Sequence, residues 1–355
     1  MSKPLFERGD RSLLWRDGAL ELTACAGPPQ AERQAFASLI ARTEFGEGGM
    51  RYRRLDVDRS LESLGRDVAY VRLVRADTLV GTYLLRRHTL LVHDRPILGV
   101  YRSSLCLNAS MKGKGLGTRI VQQTLSWLDG LAARNGESFV SYGCVERANQ
   151  PSMGALSAHT TSIGTLRTQL VYRQWPRATL ALTELDADDP RVIQAQAQTY
   201  DDCGVRVASD APFLAKVEDG QIVAGAQARL VRIDFSRIGQ PWDFLSKHVF
   251  AYASPARRRF DPHDFRYVQL DNAVVLPGFE AVWKPLLATF MARANTHMAM
   301  LTLDPTCQAS SRLAPCISGY FARATQQHVS VLARAHGRVP GFDQLATAPL
   351  GLNPR

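Results

Sequence analysis

The hexapeptide KGKGLG, Lys112 to Gly117, joins the apolar run ILGVYRSSLCLNA (97–109) to the amphipathic stretch LGTRIVQQTLSWLDGLAARNG (116–136). A strand that feeds a helix through so short a turn leaves the first N–H groups of the helix unpaired. They converge on one spot, where the helix dipole adds partial positive charge. Gly113, Gly115 and Gly117 are free to adopt positive φ and to let a ligand approach the backbone closely. Lys112 and Lys114 add full charges. The combination suits an anion, and a pyrophosphate in particular. It matches neither GxxxxGK[ST] nor GxGxxG, which sets aside the two common nucleotide loops. Taken alone, the turn leaves a plain helix start open, with glycines for packing and solvated lysines.

The flanking segments give an order of elements. PQAERQAFASLIARTEF (29–45) has apolar residues every three to four positions, as an amphipathic helix does. VAYVRLVRADTLVGTYLLRRHTLLV (68–92) alternates β-branched and polar residues about an Ala-Asp turn and predicts a hairpin. The strand over 97–109 leads to the glycine turn. In the next helix Ile120, Val121, Leu125, Leu128 and Leu131 lie near one face, and Asn135-Gly136 stops it. ESFVSYGCV (137–145) is a strand. NQPSMGALSAH (149–159) opens with an N-cap Asn and carries Pro151 early in a short helix. IGTLRTQLVYRQW (163–175) returns to strand.

Strand, [R/Q/K]-x-x-G-x-G turn, amphipathic helix, strand and Asn-led short helix, over about residues 30–180, resemble the GNAT acyltransferase superfamily. Lys112 stands where that family usually has Arg or Gln. The resemblance implies an α/β fold of mixed α+β character: tandem GNAT-like domains, each a mixed, mostly antiparallel central sheet flanked by helices. It implies acyl-CoA as co-substrate, acetyl or longer, with its pyrophosphate on Lys112, Gly113, Lys114, Gly115, Leu116, Gly117 and Thr118. The main chain of Leu105, Cys106 and Leu107 would meet the pantetheine and the thioester carbonyl. Asn149 and Ser152 would lie along the pantetheine arm, and the strand 137–145 would splay away to open a slot for the acyl chain.

The reaction this resemblance implies is direct attack of an amine on a thioester. It needs a fixed thioester, a deprotonated amine and donors for the developing oxyanion. Leu156 stands where many relatives have a Tyr, and Cys144 where others have a Glu. Glu146, Tyr142 and His159 lie near the expected cleft and are the substitutes for acid and base. Cys106 reads as a small buried residue, because nothing places a base beside it.

The second half repeats the pattern more than the identities. FLAKVEDGQIVAGAQARLVRIDF (213–235) echoes the first hairpin, with Asp77, Val80 and Gly81 set against Asp219, Val223 and Gly225. Residues 266–304 again give strand, turn, helix and strand. Tandem domains over 1–182 and 183–355 are expected, with TELDADDPR (183–191) as the linker. At the second turn VVLPGFEAVW has one glycine, no lysine, and Glu280, whose carboxylate would repel a pyrophosphate. This degenerate domain is expected to bind no CoA and either to complete the acceptor cleft or to fix the architecture. The insertion over 236–264 carries Trp242, Phe244, Phe250, Tyr252 and Arg257 to Arg259, and borders either the acceptor cleft or solvent.

A chain of 355 residues suits two domains. The formal charge of +10 favours acidic partners. An amine on a small molecule or peptide is the expected acceptor. Acyl carrier protein or aminoacyl-tRNA as macromolecular partner, and a catalytically degenerate acyl-CoA-binding module, are the alternatives. No run reaches the roughly 18 apolar residues of a membrane span, and MSKPLFERGD has no signal-peptide core. The six cysteines form no CxxC pair, so a reduced, cytoplasmic chain is expected. His248, His263, Asp271 and His297 are too dispersed for a metal site, and no metal is expected.

Overall fold

The computed structural model describes residues 5–6, 9, 11–46, 51–62, 67–92, 95–173, 176–200, 203, 205–208, 212–237, 261–317, 326–343 and 350–351. The first half runs β1 (Arg11–Asp17), β2 (Leu20–Ala26), α1 (Gln30–Arg42), β3 (Arg51–Arg54), α2 (Val57–Glu62), β4 (Val68–Arg75), β5 (Thr78–Val92), β6 (Arg95–Leu107), α3 (Leu116–Asn135), β7 (Phe139–Glu146), α4 (Gln150–Ser157) and β8 (Thr161–Tyr172). The second runs β9 (Thr183–Leu185), α5 (Pro190–Thr199), β10 (Val205–Ala208), β11 (Phe213–Glu218), β12 (Gln221–Arg237), β13 (Phe265–Val275), α6 (Glu280–Arg293), β14 (Met298–Leu303), α7 (Gln308–Ile317), β15 (Gln326–His336) and β16 (Leu350–Gly351).

All sixteen strands join one mixed, mostly antiparallel sheet in the order β1-β2-β4-β5-β6-β7-β15-β8-β14-β13-β12-β11-β9. β3 pairs with β12, and β10 links β5 to β16. Only β6/β7, β13/β14 and β10/β16 run parallel among the described pairs. The halves exchange strands: β15 lies between β7 and β8, and β8 pairs with β14. The segment 183–191 is structured, holding β9 and Asp189, whose Oδ1 caps α5 by accepting the Arg191 N–H at 2.9 Å.

Local chemistry accounts for the repeated parts. Ala76 (φ 44°) and Asp77 (φ 64°) form a two-residue turn of left-handed residues between β4 and β5, and Asp219 (φ 48°) and Gly220 (φ 79°) do so between β11 and β12. Such turns match the twist of the strands they join. Each hairpin then meets a bulge. Thr82 pairs with Cys106 but Leu84 with Ser103; Gly225 pairs with Val274 but Gln227 with Asp271. The bulged strands carry Ser104 at φ 53° and Asn272 at φ 51°. Turn and bulge together align Val80 with Val223, as expected, but Asp77 with Gly220 and Gly81 with Ala224. The expected match was one residue off at those two positions, because backbone conformation and not residue identity sets the register.

The helices cover the sheet with their apolar faces. Ile120, Val121, Leu125 and Leu128 of α3 pack on Leu22, Val71, Leu85, Val100 and Phe139. In the other half Trp283, Leu286, Leu287 and Phe290 of α6 pack on Val268, Leu270 and Leu301. No helix among the described residues is long and apolar enough to cross a membrane.

A polar chain runs beneath α3. His336 of β15 is fully buried. Its Nδ1 lies 2.7 Å from Asp129 Oδ1 on α3, and its Nε2 lies 2.7 Å from Ser141 Oγ on β7. The neutral ring satisfies both, donating to the carboxylate and accepting from the hydroxyl. Burial pushes the imidazole down to about 4, against the opposing pull of Asp129. The unfolded chain takes up this proton near pH 6.5, while the folded chain resists until about pH 4. Stability from this group is therefore present above pH 6.5 and declines as the pH falls towards 4. Thermal unfolding of the wild type should show this decline between pH 6.5 and 4, and His336→Gln should flatten it while lowering stability at pH 7.5.

Candidate functional site

β6 ends at Leu107, and Asn108 turns the chain, its Oδ1 accepting the Ser110 N–H at 3.2 Å. Met111 anchors the turn in the core, and Lys112 through Gly115 emerge into solvent. Gly113 (φ 76°) and Gly115 (φ 70°) are left-handed, and a Cβ on either would meet nothing within 4 Å. Conformation, not crowding, explains these two glycines. Gly115 is the N-cap of α3, and no side chain caps the helix. Arg119 N–H to Gly115 O, at 3.1 Å, opens the helical ladder. Among the described residues, the N–H groups of Gly113 to Thr118 meet no protein acceptor. Buried Leu116 docks the helix start, while Gly117 is half-buried and Thr118 exposed.

The strand before this cradle parts from its neighbour. β6 and β7 pair from Leu98–Phe139 to Tyr101–Tyr142 and no further. Beyond that point β6 carries the bulge, where Thr82 Oγ1 donates to Ser104 O at 3.1 Å. Leu105 and Leu107 are half-buried and Cys106 is buried. Burial pushes the Cys106 thiol up to about 11, against weaker opposing pulls from Thr43 and Thr82.

The titratable candidates lie in unlike surroundings. Tyr142 is buried among Leu90, Val140, Leu166 and Val331. Its Oη lies 2.6 Å from His88 Nε2, and burial pushes its phenol well above the ordinary value. Glu146 ends β7, half-buried, and its carbonyl accepts the Asn149 N–H at 2.9 Å. Asn149 caps α4, with Oδ1 accepting the Ser152 N–H at 3.1 Å. Glu146, Asn149 and Ser152 thus cluster at the start of α4. His159 follows the far end of α4, half-buried, with its carbonyl accepting Arg334 Nη1 at 3.3 Å. Leu156 points into the core under α3.

The second half repeats the parting strands without the cradle. β13 and β14 pair from Val268–Ala299 to Leu270–Leu301. A small cavity beside their ends is lined by Tyr200, Asn272, Thr302, Asp304, Ser310 and Leu350. The chain itself occupies this region: Asp304 Oδ2 accepts the Leu350 N–H at 2.6 Å, and Tyr200 Oη donates to Ala273 O at 2.6 Å. α6 starts at Glu280 after Gly278 (φ 87°), with no capping side chain. Trp242, Phe244, His248, Phe250, Tyr252 and Arg257 to Arg259 of the insertion lie outside the described residues. His263 Nδ1 is 3.0 Å from Asp234, and His297 Nδ1 is 3.2 Å from Arg173 O. Among the described residues no group of His, Cys, Asp and Glu could hold a metal ion.

A bulged strand, a parallel partner that parts from it and a helix packed across both, built twice into one sheet, define the tandem GNAT fold. Structures of Saccharomyces cerevisiae N-myristoyltransferase with bound myristoyl-CoA share it at TM-scores of 0.58. One is 10% identical and matches over 94% of this chain and 86% of its own; another is 12% identical over 96% and 86%. A GCN5-related N-acetyltransferase from Sphaerobacter thermophilus matches more loosely, at a TM-score of 0.46 and 13% identity over 88% of this chain and 95% of its own. No protein-family model and no curated protein sequence matches the chain. At these identities the likeness is one of fold, a fold shared with acyltransferases.

Two features escaped the sequence. Arg102 and Tyr83 are both buried in the first half, and the only sign of the arginine was a charge in an otherwise apolar strand. The Ser141–His336–Asp129 chain had no sign at all, since its members come from distant segments. The Cys106 environment generates a direct test. With iodoacetamide at pH 8, peptide mass spectrometry should find half-buried Cys144 alkylated before Cys106, with Cys106 protected until the protein is unfolded.

Proposed function

We propose that the chain is an acyl-CoA-dependent N-acyltransferase that carries an acyl group from CoA to a primary amine of a small molecule or peptide. The observation that carries this reading is the turn before α3, whose unpaired N–H groups, left-handed Gly113 and Gly115, and exposed Lys112 and Lys114 suit a pyrophosphate. Residues 1–182 would supply the CoA site and 183–355 would complete the acceptor side. In this reading Leu116, Gly117 and Thr118 add donors to the cradle, and Asn149 and Ser152 flank the pantetheine. The main chain of Leu105, Cys106 and Leu107 holds the thioester. The amine attacks the thioester carbonyl, a C–N bond forms, the C–S bond breaks, and the thiolate leaves with a proton.

Glu146 is the residue proposed to receive the amine's proton: it is half-buried and no hydrogen bond engages its side chain among the described residues. Tyr142 and His159 are second choices, Tyr142 because its hydroxyl is buried against His88. Glu146→Gln should cut thiol release by about a hundredfold with CoA affinity unchanged.

Calorimetric titration with CoA tests the cofactor claim. One CoA should bind per chain, and Gly115→Glu should abolish binding in a folded protein by placing a carboxylate in the cradle. Lys112→Ala and Lys114→Ala should weaken binding less, because exposed charges are screened and the backbone donors remain. Unchanged affinity in a folded Gly115→Glu variant removes the claim. Two CoA molecules per chain would refute the asymmetry between the halves.

A further inference from the structure

Arg102 is a buried guanidinium whose hydrogen bonding is incomplete. It is 3% exposed. Its Nη2 donates to Leu332 O at 2.7 Å, while Nε and Nη1 have no acceptor among the described residues. Tyr83, also buried, has an unpartnered hydroxyl. The two are neighbours: burial raises the Tyr83 phenol, and the charge of Arg102 and a side-chain contact of its guanidinium with the phenol oxygen pull it back. The same charge is felt at His336. Asp129, the carboxylate under α3, is held by Arg334 and His336 at 2.7 Å each.

Its place in the fold is specific. β6 and β7 are paired as far as Tyr101 and Tyr142, so Arg102 and Gly143 are the first residues past the parting. The guanidinium reaches Leu332, the register partner of Gly143 on β15, and so crosses β7 where there is no side chain. A Cβ on Gly143 would lie 3.0 Å from Arg102 O. Arg102 therefore forms the floor of the gap between the two strands.

The second half shows what the fold alone needs at this point. Aligned on the two bulges, Arg102 corresponds to Leu270, the last residue of β13 still paired with β14, and Tyr83 to Ala226, both buried and apolar. At these two positions the twin half carries no charge, although Leu270 lines the small cavity beside Asp304, and burying a charge without full pairing is costly. The arginine and tyrosine are thus additions that the architecture does not require.

We propose that Arg102 and Tyr83 receive a carboxylate at the far end of the acyl chain, so that the donor is the CoA half-thioester of a short dicarboxylic acid. This rests on the acyl-CoA reading above. Both side chains carry buried N–H or O–H donors without a full set of acceptors, and Arg102 adds charge, a pairing that selects an anionic acceptor over an alkyl terminus. A thioester held at Leu105 lies about 10 Å along the strand from Arg102. The arginine side chain covers part of that distance, which suits an acyl group of about four to six carbons.

Calorimetry with CoA, butanoyl-CoA, succinyl-CoA and glutaryl-CoA tests the proposal on the full chain. The wild type should bind one of the dicarboxylic thioesters at least about tenfold more tightly than butanoyl-CoA. Arg102→Leu should erase that preference and leave CoA affinity within about twofold. Tyr83→Phe should reduce the preference in part. Wild-type protein that binds CoA and butanoyl-CoA with no gain from the carboxylate overturns this inference alone. Wild-type protein that binds no CoA overturns the acyl-CoA reading and this inference with it. A preference that survives Arg102→Leu overturns the role of Arg102. An Arg102→Leu variant that fails to fold does the same, since the twin half carries leucine there. Thermal stabilisation by inorganic phosphate or acetate, lost in Arg102→Leu and unaccompanied by any acyl preference, would assign the site to a free anion and overturn the proposal.

Discussion

The pairing of β15 with β7 is the constraint on which the first half depends. β7 is hydrogen-bonded to β15 along its whole length, from Phe139–His336 to Glu146–Val329, but to β6 over only four residue pairs. A strand with one edge fully satisfied can leave its other neighbour without stranding its backbone on both sides. The gap between β6 and β7 stays open at its far end because a strand from the other half holds β7 in place. The same strand supplies Leu332 O to Arg102 and His336 to Asp129 and Ser141. Removing β15 would expose an edge of β7, free a buried arginine and unlock α3 from the sheet.

Duplication separates what the backbone device requires from what side chains add. Turn, bulge and left-handed residue recur in both halves at matching positions, and the parallel strands part in both, one residue later in the second. Their side chains differ. The first half has two left-handed glycines and two lysines before its helix; the second has Pro277, Gly278 and an acidic helix start. The first gap has a charged floor at Arg102, whereas the second has Leu270 there, and Asp304 pins the C-terminal segment beside it. Similar backbones thus carry unequal side-chain chemistry in the two halves.

Much of the fold was legible residue by residue. The glycine turn, the Asn149 cap, the Gly136 stop and the left-handed hairpin turn at Ala76–Asp77 each state a local backbone requirement. Such requirements depend only on neighbours in sequence, so they survive without knowledge of the partner elements. β1, β2, β3, β10, β15 and β16 and helices α2, α5 and α7 were not read, and β9 lies in the segment read as a linker. Short or mixed strands carry weak periodicity, and their identity as strands depends on what pairs with them. Of the candidate site, the cradle was legible for the same local reason. The burial of Tyr142 against His88 was not, because it follows from packing beneath β15 and β8.

The sequence by itself determined the elements that obey short-range rules: two hairpins, two helices entered by turns, and one turn rich in glycine and lysine. The tertiary structure alone decided which strands exchange between the halves, where β6 and β7 part, and which polar side chains are buried without a full set of partners. Those outcomes turn on hydrogen bonds between residues hundreds of positions apart, such as Arg102 with Leu332 and Asp129 with His336. A one-dimensional pattern of apolar and polar residues says which face is buried; it does not say against which strand.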